Sequence, residues 1–262
     1  MAIDYLIQYP CTPRAELGDE TILDLLKEQE RAQMIIHAYR ASGDNRPPSE
    51  MGFEFTRRTP EGEEGTQLIV VQDVLDRVEQ LKALEHHCAQ CPANRLGKPY
   101  GCAGFIEYPI SAAGETWLLN RLPSLKEPLL WLLLKQGVDE FMYDGQDIAK
   151  LRAASDAYFE ARPAPSRRLG EFDIDGNQAF EMIFNVGTIQ PNHAGVLLLF
   201  FHAIPRDLEA DAIIRIGEAD YRAYPFLIEP ERTDDATIDE LKAFFNALYV
   251  AWALKVPLFV AP

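Results

Sequence analysis

The chain has 262 residues, of which 47% are hydrophobic and 25% charged, and a formal net charge of −16. That length supplies a sizeable core as one large domain or two modest ones. A surface this acidic repels phosphate backbones and anionic headgroups, which argues against general nucleic-acid or membrane-surface binding.

The start of the chain carries Asp4 and no basic residue, unlike a signal peptide. The longest continuous apolar run, 247–254, is too short to span a bilayer. The expected location is therefore the cytoplasm, where clustered cysteines suggest metal or redox chemistry more than a disulfide framework. Residues 3–9 alternate and carry β-formers, so a strand is expected to end at Pro10 and Cys11. A helix is expected over 20–41, with Ile22, Leu25, Leu26, Ile36 and Tyr39 largely on one side and Gly43 beyond its end. Residues 53–57 and 66–71 read as a hairpin around an acidic loop at 60–65. A helix over 72–87, with Val74, Leu75, Val78, Leu81 and Leu84 on one face, runs directly into Cys88. A further strand is expected over 105–110, after Cys102.

The middle of the chain reads as helical over 112–122, then over 128–135 and 145–162. Ser124 and Glu127 form a capping-box pattern ahead of Pro128, and Gly137 is the expected stop. The run 129–134 is apolar all round, which predicts burial on most sides. Two prolines, a serine and a glycine make 162–170 the best linker. Beyond it come a strand over 171–174, a helix over 178–185, a buried strand over 196–203 and an amphipathic segment at 210–216. The last helix opens on a Thr237–Glu240 capping box and runs to 254, before an apolar tail at 257–260.

These elements predict an α+β fold: a small mixed N-terminal sheet with helices and a Cys-rich metal-binding loop, a helical middle, and a smaller α/β C-terminal part. The expected division is 1–161, a linker at 162–170, and 171–262 as a second domain or as part of the first. The last helix is apolar enough to pack on two sides, and one of those sides is a candidate homodimer contact.

The chemistry sits in 86–104, which holds Cys88, Cys91 and Cys102. A Cys-x-x-Cys turn points two thiolates at one centre. Gly97, Pro99 and Gly101 let the following loop fold back, and Gly101 lets backbone amides approach sulfur. Cys11 would supply the fourth sulfur. Half of this arrangement resembles the knuckle of a zinc ribbon, although the second Cys-x-x-Cys pair is missing. The stretch contains Arg95 and Lys98 and no acidic residue. Such a cationic island would offset the charge of a four-thiolate zinc and would also lower cysteine pKa without a metal. The expected cofactor is a structural zinc on Cys11, Cys88, Cys91 and Cys102. An iron–sulfur cluster or a reactive dithiol on the same sulfurs is the alternative. His86 or His87 could replace Cys11 as a ligand.

Other features carry less. Asp173, Asp175 and Gly176 fail as a calcium loop, because Met182 stands where the bidentate glutamate belongs, so a strand-to-helix turn is expected. His193 and His202 read as structural histidines beside a buried strand. Glu107, Tyr108 and Glu115 are either ordinary surface or the lining of a cleft beside the cysteine loop. Nucleotide-binding and hydrolase signatures are missing from the sequence. The expected function is a binding or regulatory module whose small-molecule ligand is unassigned. A redox protein and an enzyme with a cleft beside the loop are the competing classes.

Overall fold

The computed structural model describes residues 2–58, 64–184 and 187–261, and the fold is α+β. In chain order the elements are β1 (Ala2–Ile7), α1 (Thr12–Leu17), α2 (Asp19–Ala41), β2 (Gly52–Arg58), β3 (Glu64–Val70) and α3 (Val71–Leu84). A 3₁₀ turn (Glu85–Cys88) follows, then β4 (Ala103–Glu107), α4 (Ala112–Asn120), α5 (Pro128–Glu140) and α6 (Gln146–Ala154). The remainder is β5 (Ser166–Leu169), β6 (Phe172–Asp175), α7 (Gly176–Phe184), β7 (Thr188–Ile189), α8 (Pro191–Phe200), α9 (Ala210–Ile214), α10 (Ala236–Leu254) and β8 (Leu258–Ala261). Among the described residues no helix is long and apolar enough to cross a membrane.

The chain forms two compact units, one of Met1–Tyr9, Pro92–Gly97 and Gly101–Pro262, the other of Pro10–Cys91 and Lys98–Tyr100. The boundary expected at 162–170 thus lies inside the first unit. That segment is not a free linker. Ser166–Leu169 pairs antiparallel with Phe172–Asp175 around Gly170 (φ +75°), and Arg167 donates to the carbonyls of Leu119 and Leu122 at 2.8 and 2.9 Å.

The first unit is built on a four-stranded sheet of order β4-β1-β8-β7, antiparallel at every pairing. The apolar tail is therefore a strand within the sheet, and the N- and C-terminal parts share it. The long helix α10 packs against β1, β4, β8, α4 and α8. Asp235 caps its start, accepting from the Ile238 amide at 2.8 Å, which is the role expected of Thr237. Thr237 and Glu240 instead accept from the amides of Ser111 and Glu107. Both apolar sides of α10 are taken up within the unit, and only Ala236 and Asp239 along it are exposed.

Helices α8, α5 and α6 differ from expectation. Residues 196–203 form the end of α8 and its cap, not a strand; Pro191 sits in the first turn, and Leu197–Phe200 are buried. A continuous apolar run fits a buried helix as well as a buried strand. Helix α5 passes through Gly137, because Val138 beyond it has core to bury against. Its apolar run is not buried all round: Leu130 and Leu134 are buried, while Leu129 and Leu132 are 49% and 55% exposed. Helix α6 is shorter than expected, ending at Ala154.

The second unit is a helical pair with a hairpin. Val74, Val78 and Leu81 of α3 recur at helical spacing and are buried, and α3 packs on α2, which buries Ile22, Leu23 and Leu25. The hairpin β2–β3 pairs Gly52 with Val70 through Arg58 with Glu64, and its expected acidic loop lies largely outside the described residues. Tyr100, in the left-handed region at φ +56°, donates its hydroxyl to the Leu81 carbonyl at 2.8 Å and so anchors 98–100 on α3.

Candidate metal centre

Three of the four cysteines belong to the second unit. Cys11 is the extended residue that opens α1, and its carbonyl accepts from the Ala15 amide at 3.0 Å. Helix α1 packs on the 3₁₀ turn that ends at Cys88. The Cys91 amide donates to the Cys88 carbonyl at 3.2 Å, which closes the Cys-x-x-Cys turn. Cys102 belongs to the first unit, where its carbonyl accepts from the Ile7 amide at 3.1 Å. All four side chains are thiols. Among the described residues, no group of three or more His, Cys, Asp or Glu side chains is drawn together tightly enough to hold a metal ion.

The electrostatics of Cys88 run against the expected cationic island. Burial pushes its thiol pKa up, and nearby Cys91, Cys11 and Glu85 push it the same way; the Tyr100 amide, donating to the sulfur, opposes them. Arg95 is engaged elsewhere. Within the first unit it donates to the Ala243 and Ala103 carbonyls at 2.7 and 3.4 Å, and its guanidinium lies 5.6 Å from the Tyr5 ring centroid. Gly101 has a steric reason of its own: a Cβ there would come within 2.1 Å of Asn94 Oδ1. His86 and His87 are exposed on the 3₁₀ turn with their rings 4.0 Å apart.

The residues expected to line a cleft beside the loop have other positions. Glu107 is exposed. Glu115 is fully buried and ion-paired with Arg152, which also donates to Asn177 Oδ1 at 3.0 Å. Tyr108 packs edge-on to Tyr158 at 5.1 Å. Burial, then Tyr158 and Asp4, push the Tyr108 hydroxyl up to about 12 from its ordinary 10.0. A raised folded-state pKa gives stability that is complete below pH 10.0 and lost as the pH climbs through about 12. Alkaline denaturation followed alongside tyrosinate absorbance is expected to show both changes in that window. A folded protein whose tyrosines all ionise near 10 would contradict this placement.

His193 lies on α8, where burial lowers its pKa, and His202 follows the α8 cap at φ +50°. At the expected strand-to-helix turn, Asp175 Oδ1 accepts from the Gln178 amide and Gln178 Oε1 from the Asp175 amide, a reciprocal cap of α7. Sequence spacing gave no sign of the buried group Glu115, Arg152, Asn177 and Glu181, whose members come from three helices.

No protein-family model, curated protein or solved structure matches the chain. Its chemistry is therefore argued from its own residues.

Proposed function

We propose that the chain is a metal-stapled binding module, with a structural zinc held by Cys11, Cys88 and Cys91 and, on the strength of the sequence, Cys102 as the fourth thiolate. The observation that supports this reading is the packing of α1 on the 3₁₀ turn, which brings the residue opening α1 to the Cys-x-x-Cys turn within one unit. Among the described residues these sulfurs are not gathered as a metal site, and zinc–thiolate bonds of about 2.3 Å would draw them together, since metal binding and folding are coupled. Burial, which raises the Cys88 thiol pKa, disfavours a reactive dithiol. A site saturated by four sulfurs leaves no position for substrate, which places the binding function elsewhere on the chain.

Elemental analysis and an absorption spectrum test the reading. One zinc per chain without visible absorption is expected, and Cys91→Ser should lose the metal and melt at a lower temperature. A brown, iron-containing protein would replace zinc by an iron–sulfur cluster on the same sulfurs. Full metal content with an unchanged melting temperature in Cys91→Ser would remove the proposal.

A further inference from the structure

A cavity of about 660 Å³ opens in the first unit between the start of α5, the 202–208 segment and the stretch from α9 to Leu227. Small-molecule sites fall at roughly 300–1,000 Å³ and are mostly apolar with a few convergent polar groups. Leu129, Leu130, Ile213 and Leu227 supply the apolar wall here. Leu129 and Leu227, 49% and 41% exposed, present part of that apolar wall to water.

The walls are braced without any ligand. Arg206, 8% exposed in its side chain, donates to Glu127 at 2.9 Å on the α5 side and to Leu199 O at 2.7 Å on the α8 side. It also donates to the Phe200 and Arg121 carbonyls. The Leu227 amide donates to Ala203 O at 2.9 Å, which fixes the third wall. Rigid, cross-linked walls of this kind pre-form a site.

Charge selects the occupant. The wall carries two carboxylates, and Glu127 is taken up by Arg206 and the Ser124 amide. Asp207 remains, exposed on the rim. Against it stand Lys126, which makes no ion pair among the described residues, and His202, whose carbonyl accepts from Arg121 at 2.9 Å. Burial, then the Arg206 and Arg121 guanidinium groups, hold the His202 imidazole below its usual range, leaving a neutral ring that can donate one N–H. Two guanidinium groups, Arg206 and Arg121, and one carboxylate, Glu127, act on His202.

We propose that this cavity binds a small amphiphilic carboxylate, its apolar body against Leu129, Leu130, Ile213 and Leu227 and its carboxylate toward Lys126 and His202. The proposal names a ligand class for the binding module without depending on the metal. Calorimetric titration of the full chain with octanoate, octanol and octylammonium tests it. Saturable binding of octanoate is expected, with octanol and octylammonium at least about tenfold weaker. Lys126→Ala should weaken octanoate while leaving octanol unchanged. Leu227→Glu should abolish binding. Leu129→Glu, at a more exposed position, repeats the test should Leu227→Glu lose its fold. Chelator treatment that strips metal but leaves octanoate binding intact separates this site from the cysteine staple. No saturable heat by about 10 mM octanoate, equal affinity for octanol, or full binding by a folded Leu129→Glu would overturn the proposal.

Discussion

Glu115→Ala is expected to lower the unfolding free energy by about 3–5 kcal/mol, the range for stripping one partner from a buried ion pair. Glu115 is 0% exposed and Arg152 is 5% exposed. Arg152 reaches Glu115 Oε2 at 3.1 Å and is paired to Oε1 as well, so the contact is bidentate. Its remaining donors go to Asn177 Oδ1 and, at 2.6 Å, to Ala161 O, and its guanidinium lies 3.9 Å from the Phe159 ring centroid. Removing the carboxylate leaves that charge buried with only neutral partners. Burial pushes the Glu115 carboxyl up while Arg152 pulls it down, so the pair is held together against a desolvation cost. The double variant Glu115→Leu/Arg152→Leu should therefore lose less than the single variants Glu115→Leu and Arg152→Leu summed. Urea denaturation of these variants measures this. A loss below about 1 kcal/mol for Glu115→Ala would show that water or another group reaches Arg152.

The second large effect is expected at Phe244. This ring is 0% exposed on α10 and meets Tyr5 of β1, Phe184 of α7 and Phe245 at centroid distances of 5.3, 5.4 and 5.7 Å. It joins the sheet, α7 and α10 in one aromatic cluster. Phe244→Ala should cost about 3–5 kcal/mol, from lost burial and from a cavity that three rigid rings cannot fill. Met34 on α2 is 59% exposed and serves as the control, with an expected change within about 0.5 kcal/mol for Met34→Ala. Equal melting temperatures for the two variants would mean that the Phe244 site collapses or hydrates freely.

The fold was legible where periodicity is local. The buried stripe Val74, Val78 and Leu81 marks α3 in the sequence, and the aromatic and leucine pattern after Asp235 marks α10. It was not legible where meaning comes from distant partners. The residues of β8 look like an apolar tail until Tyr5 pairs with Val260 and Leu6 with Phe259. Residues 196–200 carry no period at all, so length and the neighbouring prolines had to decide between helix and strand. The Cys-x-x-Cys turn was legible for the same reason as α3: its spacing is short. Arg95 and Gly101 were assigned to the sulfurs by proximity in sequence, whereas long-range contacts to Ala243 and a steric contact with Asn94 occupy them. The Glu115–Arg152 pair spans 37 residues and follows no motif spacing, so only the packed helices reveal it.

The pairing of β1 with β8 has a kinetic side. Asp4 lies opposite Ala261, so the two strands that close the sheet are separated by nearly the whole chain. The chain entropy of such a closure grows only as the logarithm of its length, adding about 0.6 kcal/mol per doubling. The burden falls on rate, since contacts this remote form after the local ones. The helical pair α2–α3, with its hairpin between, has no such constraint and can assemble from neighbours alone. Until the last strand arrives, β1 presents one edge with hydrogen-bonding groups that β8 will later satisfy, and that interval is when the molecule is most open to pairing with the wrong strand.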